Sequence, residues 1–339
     1  MKFFRSMAFP VIMMMALISC NTIFPNENNP TPTDVFDELW EEVDQKYVCF
    51  SNKDLDWDAV YEKYRVKVNE YTNEDNLFAV ALQMLEELED GHVALSTRVK
   101  RWSGYQREPS VDFLQEASTH YLGERAHSSG GLQYSIIKSS AVGYIRYDSF
   151  TDAVSESHVN EVLTYCKDCQ GLILDLRENA GGELANAITL LDCLPTDAVL
   201  YKTYIRHNAV HDELVQSQIF FKSDKIPERE KWYKPFIVLI DGRSFSASSI
   251  FAMCAKSCEN VRIVGVTSAG GTNLADYFEL SNGWIYRIPN KKVISSSGLD
   301  CENGILPDVE VHLDHEMAEN ENRDNIIETA CEMILSWDQ

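Results

Sequence analysis

The residue with the clearest chemical potential in this sequence is a serine that follows a short apolar stretch. Residues 236–240 read FIVLI, which is typical of a strand buried on both faces of a parallel sheet. Ser246 comes after the strand-breaking Asp241-Gly242-Arg243, and an apolar helical run follows it. Such a serine can present its hydroxyl at the mouth of a sheet, beside helix N–H groups that favour negative charge. Acyl transfer needs both features, and the alternative is that the serine only caps the helix.

A pair of glycines occupies a second junction of the same kind. Residues 171–177 predict another buried strand, Gly181 and Gly182 follow it, and residues 184–194 predict a helix. Paired glycines let a backbone approach a ligand closely and leave its N–H groups free to bind it. A phosphate site is the competing interpretation, but the sequence lacks the GxxxxGK[ST] motif.

The surrounding elements predict an α/β domain behind a small helical one. Residues 34–95 carry apolar side chains at helical spacing, and Gly91 is expected to end the last helix, so that His92 lies at a helix-to-strand junction. Residues 96–135 are polar and irregular and are interpreted as a connecting segment. Strands and helices alternate over residues 136–339, which end in a helix, and this alternation indicates an α/β core.

The charge balance excludes some classes of partner. The chain has 30 basic and 53 acidic residues and a formal net charge of −23. Such a surface repels nucleic acid and anionic lipid, so we expect neither to be a partner. Because the acidic residues are spread along the chain, most of them are expected to be solvated surface.

The first residues predict export and lipidation. Lys2 and Arg5 precede an apolar run that ends in Leu17-Ile18-Ser19-Cys20, and this run is too short to span a bilayer. The pattern resembles a bacterial lipoprotein signal, which implies a signal peptide over residues 1–19, lipidation of Cys20 and a tether over residues 20–33. The expected location is the bacterial cell envelope, with membrane contact through the lipid anchor alone. An ordinary secretory signal is the alternative.

The remaining cysteines and histidines do not form a recognisable metal motif. Cys166 and Cys169 make one CxxC without a second pair, and His207 with His211 lacks the glutamate of HExxH. We therefore predict no metal and no cofactor. Disulfides are possible after export, but their pairing cannot be read from the sequence.

Five segments, in this order, resemble motifs of the S41 peptidases, a family that includes the C-terminal processing (tail-specific) proteases and the core of the tricorn protease. They are residues 175–182, 246–252, 264–272, 280–284 and 302–308. The resemblance implies a crotonase/ClpP-like spiral as the catalytic core, here preceded by the small N-terminal helical domain. The stretch between His92 and the strand at Val142 is short for the PDZ domain that many members carry, so we predict that this chain has none.

The same resemblance assigns a catalytic serine and its partners. Ser246 matches the nucleophile, but the general-base lysine of the tail-specific branch falls on Gly271 and the glutamate of its SAxE motif falls on Ser249. The tricorn-like branch uses a histidine and a glutamate, which match His92 and Glu302. A histidine can take the hydroxyl proton, and a carboxylate can orient the histidine.

Two further features follow from the resemblance. The donors to an oxyanion are expected to be the backbone N–H groups of Gly181 or Gly182 and of Ala247, and the sequence does not choose between the two glycines. Gly91 stands where the tricorn-like branch has a serine before its histidine, so the link between carboxylate and imidazole, direct or bridged, stays open.

The sequence thus predicts a serine endopeptidase that hydrolyses polypeptides through an acyl-enzyme. A non-catalytic peptide- or ligand-binding protein on an S41-like scaffold is the alternative, motivated by the departures at positions 91, 249 and 271. An esterase of the α/β-hydrolase type is a weaker one, because residues 242–246 miss the last glycine of GxSxG.

Overall fold

The computed structural model describes residues 29–104, 110–195, 199–206, 213–221 and 231–337. The predicted signal peptide, Cys20, His207 and His211 lie outside the described residues, as does most of the predicted tether. Within the described ranges, no helix combines the length and the apolar character needed to cross a bilayer.

The helices divide between the start, the middle and the end of the chain. They are α1 (Pro32–Lys46), α2 (Trp57–Arg65), α3 (Glu74–Glu86), α4 (Gln115–Leu122), α5 (Glu156–Tyr165), α6 (Leu184–Leu191), α7 (Ala247–Ala255), α8 (His315–Glu321) and α9 (Asn325–Leu335), with a short 3₁₀ turn at Phe50–Asn52.

Within the described residues the strands form two sheets. They are β1 (Ala94–Ser96), β2 (Arg101–Ser103), β3 (His127–Ser129), β4 (Leu132–Ile137), β5 (Val142–Arg146), β6 (Leu172–Asp175), β7 (Val199–Arg206), β8 (Leu214–Phe221), β9 (Phe236–Ile240), β10 (Val261–Gly265), β11 (Leu274–Glu279), β12 (Ile285–Ser295) and β13 (Val309–Glu310). One sheet has the order β2-β1-β12-β7-β8 with β11 also on β12, and the other has the order β13-β10-β9-β6-β5-β4-β3.

The second sheet is a mixed sheet with helices on both faces. Strands β5, β6, β9, β10 and β13 run parallel, and β4 and β3 continue antiparallel at one edge. Alternate residues of β9 face opposite sides: Val238 packs in the cluster that holds α5, α6 and α7, whereas Leu239 packs in the cluster that holds α4, α8 and α9. Burial on both faces explains the continuous apolar run at 236–240 and confirms the predicted α/β class.

The N-terminal helices pack on the first sheet. Helix α1 starts with a capping box, in which the Thr31 hydroxyl accepts the Asp34 N–H and the Asp34 carboxylate accepts the Thr31 N–H. Its buried face, including Phe36 and Leu39, belongs to the same apolar cluster as Trp284, which precedes β12, and Tyr286, which lies in β12. The helical domain therefore supports the strand β1, which begins two residues after His92.

A buried ionic network ties the last helix to β6. Arg177 is fully buried, and its guanidinium donates to both carboxylate oxygens of Asp175 and, through Nη1 at 2.9 Å, to Asp324. Asp324 also caps α9, because its other oxygen accepts the N–H groups of residues 326 and 327. Arg146 adds a second ion pair to Asp175 at 3.3 Å.

Two predicted details are wrong. Helix α3 ends at Glu86 instead of at Gly91, because the chain turns at Glu89, which has a φ of 43°. The segment 96–135, which the sequence presents as an irregular connection, contains the helix α4, the start of β4 and the short strands β2 and β3. These strands are three residues long and are held by pairing with β1 and β4, so the local sequence carries little signal for them.

Candidate active site

Ser246 lies on a strained turn between β9 and α7. Its φ of 57° and ψ of −120° are unusual for a non-glycine residue, and such strain costs about 1–3 kcal/mol and persists only where the surroundings impose it. The Ser246 N–H donates to the Gly270 carbonyl at 2.9 Å, and a bridge between Phe245 and Gly270 fixes the turn on its other side. Ser246 precedes α7 at its N-cap position but makes no side-chain cap bond. The capping interpretation of this serine therefore fails.

The structure brings His92 to the serine. His92 Nε2 lies 2.9 Å from Ser246 Oγ, although 154 positions separate the two residues in the sequence. The His92 N–H donates to Asp90 Oδ1 at 2.8 Å, and the His92 ring packs 4.6 Å, centroid to centroid, from the Phe245 ring. His92 is buried, whereas Ser246 is partly exposed, so the hydroxyl can be reached from solvent.

Glu302 lies in a pocket with Cys49 and Asp90. Its Oε2 accepts the Asn273 N–H at 2.7 Å, and its Oε1 lies 3.9 Å from the Cys49 sulfur. A cavity of about 190 Å³ is lined by Cys49, Asp90 and Glu302 and by Gly91, the residue next to His92. Glu302 therefore reaches the loop that carries the histidine.

Burial and like charge control the protonation of this pocket. Burial raises the pKa of Glu302 to about 8, with a further contribution from the Asp90 carboxylate. Burial, then Glu302 and Asp90, raises the pKa of the Cys49 thiol well above its usual value. Tyr47 donates to Asp90 Oδ2 at 2.7 Å, and burial holds the pKa of this phenol high as well.

The same pocket is where a metal could be considered. One ligand atom each from Cys49, Asp90 and Glu302 lies within 4.8 Å of the other two. Metal binding needs the deprotonated thiol and carboxylates, which burial disfavours for Cys49 and Glu302. That the protein uses no metal stays a prediction.

The two glycines after β6 differ in what their N–H groups do. The Gly181 N–H donates to Asn179 Oδ1 at 2.9 Å, and Gly181 is buried. Gly182 is exposed, and no acceptor within the described part of the chain takes its N–H or that of Ala247. A Cβ at Gly181 would lie 2.8 Å from Ser246 Cβ, so this loop passes directly beside the serine.

The structure leaves no room for a lysine beside Ser246 at position 271. Gly271 has a φ of 66°, and a Cβ there would overlap the Phe245 ring. Ser249, in place of the family glutamate, is fully buried, donates to the Ser244 carbonyl at 2.9 Å and lies 3.0 Å from Ser268 Oγ. Gly271 and Ser249 thus occupy closely packed positions around Ser246.

Sequence reasoning missed three residues that shape the site: Asp90, Cys49 and Asn179. Asp90 lies two residues before His92, and this proximity in the sequence is the signal that could have indicated its place in the site. Nothing in the local sequence relates Cys49 to Glu302, because 253 positions separate them. Asn179 lies inside the 175–182 motif, but the motif alone does not indicate what it contacts.

Comparisons with known proteins agree with this geometry. The model of Peptidase family S41 matches residues 141–311, and the model of the Tricorn protease C1 domain matches residues 30–86. A crystal structure of a candidate peptidase from Parabacteroides merdae is 30% identical, with a TM-score of 0.82, over 91% of this chain and 98% of that one. The fold predicted from the resemblance is therefore confirmed.

Two curated relatives are more distant in sequence. The nisin-resistance protein of Lactococcus lactis subsp. lactis is 26% identical over 214 residues, which are 60% of this chain and 64% of the relative. A carboxy-terminal-processing protease of Bartonella bacilliformis is 29% identical over 180 residues, which are 50% of this chain and 38% of the relative. The chain thus matches less than two thirds of either protein.

Proposed function

The chain belongs to peptidase family S41, and on that premise we propose that it is a serine endopeptidase with Ser246 as nucleophile, His92 as general base and Glu302 as the residue that orients His92. The observation that carries the proposal is the 2.9 Å separation of His92 Nε2 and Ser246 Oγ on a strained turn. Nucleophile and base within hydrogen-bond reach are the signature of an activated serine. The substrates that the family implies are polypeptides.

Each step uses a group at the site. Ser246 Oγ attacks the peptide carbonyl carbon while its proton passes to His92 Nε2. The N–H groups of Gly182 and Ala247 donate to the oxygen that becomes negative, since neither has an acceptor among the described residues. His92 then gives the proton to the leaving amine, which breaks the C–N bond and leaves an acyl-enzyme. Water, deprotonated by His92, hydrolyses the ester and restores the serine.

Glu302 supports this cycle when it is ionised. A carboxylate in its pocket stabilises the imidazolium that forms as His92 takes the proton. Because burial raises the pKa of Glu302 to about 8, this support grows with pH. Position 271 cannot supply the lysine of the tail-specific branch, which leaves the histidine as the base.

Covalent labelling tests the proposal directly. A fluorophosphonate that reacts with activated serines should label the wild-type protein at Ser246, and both Ser246→Ala and His92→Ala should lose the label while keeping a wild-type circular dichroism spectrum. Ser248→Ala, two residues after Ser246 in α7, is the matched control and should label normally. Peptide hydrolysis that persists in Ser246→Ala would refute the assignment. A wild-type protein that neither labels nor hydrolyses any peptide would favour the binding-protein alternative.

A further inference from the structure

One fully buried amide, Asn179, connects the two loops that meet at the serine. Its Nδ2 donates to the Tyr147 carbonyl at 2.7 Å, and its Oδ1 accepts the Gly181 N–H at 2.9 Å. Its own carbonyl accepts the Phe245 N–H at 3.0 Å, from the residue just before Ser246. Asn179 therefore bonds to the loop after β6, to the end of β5 and to the loop after β9.

We propose that Asn179 is a positioning residue that sets the separation and direction of the two oxyanion donors. The proposal rests on the proposed function, in which Gly182 and Ala247 supply those donors. The Asn179 side chain holds Gly181, whose next peptide N–H is that of Gly182. The Asn179 carbonyl holds Phe245, two residues before Ala247. One residue thus fixes both donors relative to each other.

The chemistry of the site requires an amide at this position. The two side-chain bonds need one acceptor and one donor on a planar group, and among side chains of this size asparagine offers both whatever the pH, whereas aspartate offers both only when it is protonated. By consuming the Gly181 N–H, the amide oxygen also decides which glycine is the donor. The left-handed φ of Gly181, 92°, and the φ of Gly182, 142°, then direct the loop past Ser246.

Replacing Asn179 with aspartate distinguishes a role in positioning the oxyanion donors from a role in packing alone. Asn179→Asp has the same shape and keeps the acceptor for Gly181, but when ionised it cannot donate to the Tyr147 carbonyl. A protonated aspartic acid regains that donor. We expect Asn179→Asp to lose about 10²–10³-fold in kcat near neutral pH, the value of one oxyanion donor, with KM changed less than about threefold. Its kcat relative to wild type should rise as the pH falls, because protonation restores the bond.

Asn186 provides the matched control. Its amide also bridges backbone groups nearby, donating to the Phe150 and Asp152 carbonyls and accepting the Val154 N–H. Among the described residues it makes no hydrogen bond to the Phe245 loop. Asn186→Asp should lower thermal stability and leave kcat within about threefold of wild type. The ratio of its kcat to the wild-type kcat should not rise at low pH.

The experiment compares wild type, both variants and Ser246→Ala from pH 5.5 to pH 8.5, measuring kcat, KM, fluorophosphonate labelling rate and thermal unfolding. A lower kcat for Asn179→Asp that recovers at low pH, against a flat ratio for Asn186→Asp, supports the positioning role. A folded Asn179→Asp with wild-type kcat overturns it, as does equal loss in both variants or failure of Asn179→Asp to fold at any pH. If wild type itself behaves like Ser246→Ala, the proposed function fails instead.

Discussion

Replacing Glu302 with glutamine should remove a pH dependence from the stability of the protein. The folded protein holds the pKa of Glu302 at about 8, above its ordinary 4.5, because the carboxyl group is buried next to Asp90. Folding therefore favours the protonated form. The stability that this group contributes is fully present below pH 4.5 and is lost as the pH rises through 8.

The magnitude follows from the size of the pKa change. One pKa unit corresponds to about 1.4 kcal/mol. A carboxyl that titrates near 8 when folded and near 4.5 when unfolded can therefore lower the free energy of unfolding by at most about 5 kcal/mol when it ionises. Between pH 6 and pH 8 the wild-type protein should lose about 2 kcal/mol of unfolding free energy through this group alone. Glu302→Gln has no charge to form and should not lose it.

Urea unfolding at pH 6, 7 and 8 measures this difference. The quantity of interest is the unfolding free energy of wild type minus that of Glu302→Gln, since other titrating groups cancel in it. Glu62→Gln, on the exposed face of α2, is the control and should track wild type. Asp90→Asn removes the neighbouring like charge, so the pH range of the loss should move downward.

A difference between wild type and Glu302→Gln that stays constant from pH 6 to pH 8 would refute the reasoning. The carboxyl would then be ionised in the folded protein throughout this range, and burial beside Asp90 would not control it. The kinetic counterpart is a rise in kcat/KM with an apparent pKa near 8 that Glu302→Gln flattens.

Two further variants test the surroundings of the site. Gly271→Lys should not create a Ser–Lys dyad, because the φ of 66° and the Phe245 ring oppose a side chain there; we expect at least about 1 kcal/mol of destabilisation by thermal unfolding and slower fluorophosphonate labelling. Faster labelling would contradict this. Asp324→Asn keeps the cap of α9 but removes one of the carboxylates that pair with the buried Arg177 guanidinium. Urea unfolding should therefore show a loss of about 3 kcal/mol in the free energy of unfolding. A loss under about 1 kcal/mol would mean that Asp175 alone compensates the guanidinium.

Much of the fold could be predicted because its signals are local. A strand buried on both faces must be apolar throughout, and residues 236–240 form β9 within the predicted bounds. The glycines at 181 and 182 mark a turn with positive φ angles that other residues avoid. Short strands such as β2 escaped prediction, because pairing with a distant partner holds them and not their own composition.

Local sequence patterns indicate which residues are available for chemistry and at which junctions between strands and helices they lie. The sequence could name Ser246, His92 and Glu302 only through the order of motifs, since a hydrogen bond across 154 positions leaves no local trace. The packed structure brings His92 to Ser246 and places Asp90 and Cys49 around Glu302. It also occupies the N–H of Gly181, whereas the N–H of Gly182 has no acceptor among the described residues. Distances between side chains, and the burial and neighbouring charges that set a pKa, depend on how the sheets and the helical domain pack, and this packing involves the whole chain.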